Sequence, residues 1–146
     1  MAKISFFMIC ETINNVLAPT GSTVPQLTNP FCVVRPEYIP GNYTFGIAVG
    51  VSGVNISEQN NMGFIIADPN NIVIQETPAF PLPIAPIDDN LPKDQQGFLL
   101  SFEARNLPLS VEGVYKITFY INGEAIGTEE IPIFPRKKHD RTEDTN

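Results

Sequence analysis

Three carboxylates fall close together in the chain at Asp88, Asp89 and Asp94, inside a segment crowded with proline. Paired carboxylates can share a proton as a general acid and base, and hard oxygen ligands can hold calcium. The spacing does not fit an EF-hand loop, which also needs a glycine and a bidentate glutamate. A solvated cluster of loop charges is the favoured reading, ahead of a hydrolytic pair. Nucleophilic chemistry has less to work with. The one histidine, His139, lies in a charged stretch near the carboxy-terminal end, so no Ser/His or Cys/His pair is expected. Cys10 and Cys32 are the two cysteines. Both sit in apolar runs, which raises a thiol pKa, and they read as buried free thiols rather than as a bridge or a zinc site. No glycine-rich phosphate loop leads into a helix, because Gly46, Gly50 and Gly53 lie on or just after a strand. No catalytic residue, metal or cofactor is assigned.

The elements that would position any such site are strands. The 146 residues contain 14 prolines and 10 glycines, and no long stretch keeps helical spacing without one of them interrupting it. Tyr115, Ile117, Phe119 and Ile121 alternate with Lys116, Thr118 and Tyr120, the period of a strand with one buried face. Asn122-Gly123 follows and supplies the two positive-φ positions of a type I′ hairpin turn. Pro132 marks the returning strand as a sheet edge or as bulged at that point, and Glu129-Glu130 would discourage edge pairing. A second hairpin runs through Met62–Ala67 and Ile72–Glu76 around Asp68-Pro69-Asn70-Asn71, with Asp68 as the turn former. Further strands are expected at Lys3–Cys10, Phe31–Val34, Tyr43–Val51 and Gly97–Arg105. Residues 11–30 read as an irregular connection with a short hairpin around Pro19–Ser22. Residues 77–96, with five prolines between 78 and 92, read as a crossing from one sheet to the other.

About eight strands separated by turn signals give an all-β fold, an immunoglobulin-like antiparallel sandwich of two sheets, as one domain over residues 1–135. Residues 136–146 read as a disordered charged tail, in which acids largely neutralise the basic run Arg136-Lys137-Lys138. Residues 1–135 carry five bases against thirteen acids. Such an acidic body is read as excluding nucleic acid as a partner. The apolar run Ile4–Cys10 barely reaches the length of a signal core and lacks a cleavage site, and no run spans a membrane, so the expected compartment is the cytoplasm.

The order of these features resembles a family of small bacterial proteins, a domain of unknown function with a predicted immunoglobulin-like sandwich. The matching residues are the first strand ending in Cys10-Glu11, then Asn29-Pro30, Arg35-Pro36 and Ile39-Pro40-Gly41, the Asp68-Pro69 hairpin, and Gly113-x-Tyr115-x-Ile117-x-Phe119 ending in Asn122-Gly123. The resemblance covers about residues 3–134 and implies the fold; it carries no activity to transfer. The proline-rich loop departs from it.

Two functional readings follow. Tyr43, Phe45, Ile47, Val49 and Val51 form one face of a strand, while Thr44, Gly46, Ala48 and Gly50 leave the other nearly bare. A neighbouring segment of the same domain is the favoured cover for that bare face. Left open, it would admit a flat partner, and so the first reading is a non-enzymatic module that binds another protein or its own copy. The second is a small-ligand or carbohydrate module built on the 77–96 loop, using Asp88, Asp89 and Phe80.

Overall fold

The alternating runs do become strands, and each sheet buries one face against the other. The computed structural model describes residues Met1–Arg136. Eight strands follow in order: β1 Lys3–Leu17, β2 Thr23–Phe31, β3 Gly41–Ser52, β4 Asn61–Ala67, β5 Val73–Pro81, β6 Gly97–Leu109, β7 Gly113–Ile121 and β8 Glu124–Ile133. They form two antiparallel four-stranded sheets, β2-β1-β3-β6 (sheet A) and β5-β4-β7-β8 (sheet B). With β3, β4, β6, β7 and β8 in the places of strands B, C, E, F and G, the neighbour pairs B–E, C–F and F–G of an immunoglobulin-like sandwich are all present.

Period-2 alternation explains the core. Ile47 pairs with Ile9 on one side and Phe102 on the other, and Val49 pairs likewise with Phe7 and Leu100, so these side chains share the inner face of sheet A. In sheet B, Phe64 pairs with Phe119 and Ile66 with Ile117. Across the interior, the Phe64 and Phe102 rings stack with centroids 4.7 Å apart, and Phe7 meets Phe119 edge-on at 6.2 Å. Each fully buried side chain of this size contributes about 1.5–3 kcal/mol relative to exposure.

Tyr115 adds a polar lock. It is fully buried at the start of β7, and its hydroxyl donates to the Val111 carbonyl at 2.6 Å. A tyrosine bonded back across the corner between the sheets is a recurring feature of immunoglobulin-like sandwiches.

Several boundaries differ from the sequence reading. β1 continues seven residues past Cys10 and pairs with β2 from Leu17–Thr23 back to Cys10–Pro30, so residues 11–30 form a long hairpin rather than an irregular connection. Its turn lies where expected, with Gly21 N–H donating to Ala18 O at 2.9 Å. Phe31–Val34 is not a separate strand. Phe31 ends β2, and Val34 makes an isolated parallel bridge to Ile133. β5 runs on to Pro81, so the crossing segment begins at Leu82 and leads from sheet B to sheet A. Pro78 and Pro81 are tolerated there because β5 is an edge strand. Pro132 lies on the edge strand β8, and Asp68 is the turn former, its Oδ1 accepting from Asn70 N–H at 2.8 Å and Ile72 N–H at 2.9 Å. Cys32 is exposed, not buried, because it falls in the bend after β2. Among the described residues no helix is long and apolar enough to cross a membrane. The expected tail begins at Arg136, which is held in place; its remaining residues, His139 among them, lie outside the described residues.

Candidate functional site

Gln96 organises the crossing segment. It is buried, and its Nε2 donates to the Asp88 carbonyl at 2.6 Å and the Leu91 carbonyl at 3.1 Å. Its Oε1 accepts from Asp88 N–H at 3.3 Å, and its own carbonyl accepts from Gly53 N–H at 2.8 Å. The side-chain amide thus gathers the loop on itself and the backbone carbonyl of the same residue fastens it just beyond β3, satisfying backbone groups that burial would otherwise leave unpaired. Upstream, Leu82 N–H donates to Asn60 O and Ala85 N–H to Ile56 O, each at 2.8 Å. The long loop is therefore an ordered cover on one end of the sandwich.

Against that cover lies a half-open cavity of about 550 Å³ with Val54, Ile56, Ile87 and Leu91 among its apolar walls. Asp88, Asp89 and Asp94 all line it, together with Lys93, so the three residues share one cavity wall. Their chemistry is modest. Asp88 Oδ1 accepts from Asn90 N–H at 2.9 Å, an Asx turn that shapes the loop. Among the described residues, no group of three or more His, Cys, Asp or Glu side chains is placed to hold a metal ion. Phe80 does not join this site; it lies on β5 opposite Met62 and packs against the core.

Beside the cavity, a groove of about 480 Å³ runs onto the outer face of sheet A. Phe6, Ile56, Leu91 and Leu99 line it, with Gly50 between Phe6 and Leu99 in the sheet. Three of these stay open to solvent: Phe6 is 41% exposed, Leu91 47% and Leu99 56%. The sequence reading missed this apposition, because Phe6 and Leu99 meet only through the register of β1 and β6 on either side of β3.

The bare face of β3 is covered by its own domain. A Cβ at Gly46 would sit 2.8 Å from Ile13 Cγ1 and 2.9 Å from Cys10 Sγ, and one at Gly50 would sit 3.1 Å from Phe6 Cβ. β1 and its hairpin thus lie against these glycines, which closes the face at Gly46 and leaves only the groove at the Gly50 end. Burial of Cys10 pushes its thiol pKa above the ordinary value, the direction that quenches reactivity.

Comparison with known proteins adds little. No family model matches the chain, and no curated protein does. Among solved structures, the chain is similar to part of the alkylpurine DNA glycosylase AlkC of Pseudomonas fluorescens, bound to DNA containing an abasic site analogue; the match has 11% identity, a TM-score of 0.48, and covers 90% of this chain and 30% of that one. The chain therefore spans less than a third of that protein's length. The exclusion of nucleic acid as a partner is corrected at this point: it rested on net charge, which describes no single surface, and the matched protein was solved with DNA. The exclusion is withdrawn. A likeness this distant carries no argument about what this chain itself binds.

Proposed function

We propose that this protein is a non-enzymatic β-sandwich that works by associating with protein, another chain or its own copy, through sheet A. The observation that carries the reading is the set of large apolar side chains left in solvent around one groove: Phe6, Leu91 and Leu99. A contiguous exposed apolar surface beside an ordered loop is the usual mark of an interaction site. The carboxylates support the non-enzymatic part, since Asp88 is committed to shaping its own loop. The cytoplasm is the compartment adopted for this reading, supported by the place of Ile4–Cys10 as a strand paired with β3 and by the exposed free thiol of Cys32.

The test compares the full chain with a Phe6→Glu/Leu99→Glu variant, each immobilised and exposed to lysate, alongside sedimentation of each in isolation. Both positions are substantially exposed, so the variant should melt close to the parent. Loss of association in the variant supports the reading; association that survives both charges refutes it. A second reading, a small-ligand module, is favoured by the cavity of about 550 Å³ under residues 87–96. Calcium and soluble glycans are its first probes in a thermal-shift measurement, where binding to the native state raises the melting temperature.

A further inference from the structure

The two sheets have four edges, and three of them are closed against further pairing. β2 carries Pro25 and Pro30, and β5 carries Pro78 and Pro81. β8 carries Pro132 and is also capped by the bend after β2, where Val34 N–H donates to Pro132 O at 2.8 Å and Phe134 N–H to Val34 O at 3.0 Å. Proline removes a ladder donor, and a covering segment removes the edge itself. β6 is the longest exception; the Lys3–Met8 part of β1, which β2 does not reach, is shorter and is blunted by Lys3 and by the bulge between Ile4 and Phe6. From Gly97 to Leu107 β6 holds no proline, and it pairs on one side with β3 alone. Among the described residues, no segment bonds to the outward backbone groups of Gly97–Ala104. These eight residues present about 26 Å of open ladder.

The side chains of the same run are unfinished as well. Phe98, Leu100 and Phe102 point to the inner face yet are only partly buried, while their β3 neighbours Val51, Val49 and Ile47 are buried. Leu99 on the outer face is 56% exposed. A strand laid beside β6 would cover both faces. Charge decides which strand fits. Residues 1–135 carry eight more acids than bases, a net charge that opposes association of two copies unless the contact itself is locally neutral. The run Gly97–Ala104 contains one charge, Glu103, and Arg105 holds it at 2.9 Å, so this seam is locally neutral. Its apolar alternation also matches itself when read in the opposite direction, as a two-fold interface requires.

We propose that β6 pairs antiparallel with β6 of a second copy, joining the two A sheets into one eight-stranded sheet. The pairing stops at Arg105–Asn106, where a bulge against β3 and the left-handed Asn106 (φ 51) bend the strand away. The proposal rests on the reading above that sheet A binds protein, and it names the partner.

Sedimentation equilibrium over a wide concentration range, together with amide hydrogen exchange at its low and high ends, tests it on the full chain. The expected result is a dimer whose formation slows exchange in Gly97–Ala104 and leaves β2, β5 and β8 unchanged. A Ser101→Lys/Glu103→Lys variant, which gathers like charges at the seam, should weaken dimerisation at least tenfold. If that variant fails to fold, the exchange pattern of the parent chain decides alone. A dimer protected elsewhere overturns the β6 seam and leaves self-association standing. A chain that stays monomeric while Phe6 and Leu99 are still needed to capture another protein overturns the second copy and keeps the binding reading. Monomer without capture removes both.

Discussion

β6 and β8 are both edge strands next to well-packed neighbours, yet the chain treats them in opposite ways. At β8, the Arg35 guanidinium donates from Nε to Phe134 O at 2.8 Å and from Nη2 to Pro135 O at 3.1 Å. Arg136 returns the contact, its N–H donating to Pro36 O at 2.8 Å and its Nε to Arg35 O at 3.0 Å. Glu129 and Glu130 add charge along the same strand, and Pro132 removes a donor. Over its first eight residues β6 has no proline and no covering segment, and its one charge, Glu103, is paired with Arg105. Hydrophobic content does not separate the two, since both alternate apolar residues toward the core. What separates them is how the backbone's outward hydrogen-bonding groups are disposed of, and that makes one edge inert and the other a template.

Breaking β6 away from β3 should have the largest effect. A Cβ at Gly97 would collide with the Val51 carbonyl oxygen, so Gly97→Val forces the start of β6 off the sheet. A loss of about 3 kcal/mol is expected, read as a lower denaturant midpoint, and any self-association should disappear with it. Next comes the corner that feeds β7, the neighbour of β8. Tyr115→Phe strands the Val111 carbonyl and should cost about 1–2 kcal/mol in chemical denaturation without altering the oligomeric state.

The same tyrosine gives a pH signature. Burial raises its pKa above the ordinary 10.0; the bond to Val111 works against this and the charge of Asp68 with it. The folded state therefore holds the proton more tightly than the unfolded chain. That contribution is complete below about pH 10 and is lost as pH rises through the raised folded value. Cys10, raised by burial from 9.0, acts with the same sign from a lower pH. The denaturant midpoint should fall in alkali, and the fall should be shallower in Tyr115→Phe; an identical slope in both chains would remove Tyr115 as a cause.

Opening the closed edge should matter less. Arg35→Ala removes two bonds from an exposed guanidinium and is expected to cost about 1 kcal/mol, with faster amide exchange at Val34 and Phe134 as the specific readout. The smallest effect belongs to Arg105→Ala. Its ion pair with Glu103 is exposed and worth about 0–1 kcal/mol, so melting should hardly move. Dimerisation should still weaken, because Glu103 would then leave an uncompensated charge at the seam.

Legibility followed locality. The β7–β8 hairpin was readable because everything that makes it lies within twenty-one residues: a clean alternation, then Asn122 and Gly123 at φ 53 and 85. The β1–β2 hairpin has an equally tight turn, but Asn14, Asn15, Gln26 and Thr28 dilute its alternation, and its distal part pairs with nothing except itself. Its justification is non-local, in Ile13 lying on Gly46 some thirty residues away. The candidate site shows the same division. Asp88, Asp89 and Asp94 are near one another in sequence and do line one cavity, whereas Phe80 looked like part of that loop and belongs to β5. The Gln96 hub had no local signal, because a lone glutamine in a polar stretch resembles any solvated residue.

The amino-acid sequence by itself determined the class of fold, the positions of most strands and turns, and the crossing between sheets, because period-2 alternation and turn chemistry are properties of neighbouring residues. Tertiary structure alone decided that β2, β5 and β6 became edges beside the β8 edge that Pro132 already pointed to. Edge status depends on strand order, and strand order is set by contacts between residues far apart in the chain. Only with β6 placed outermost in sheet A do its missing prolines, its half-covered Phe98, Leu100 and Phe102, and its single neutralised charge acquire a common meaning.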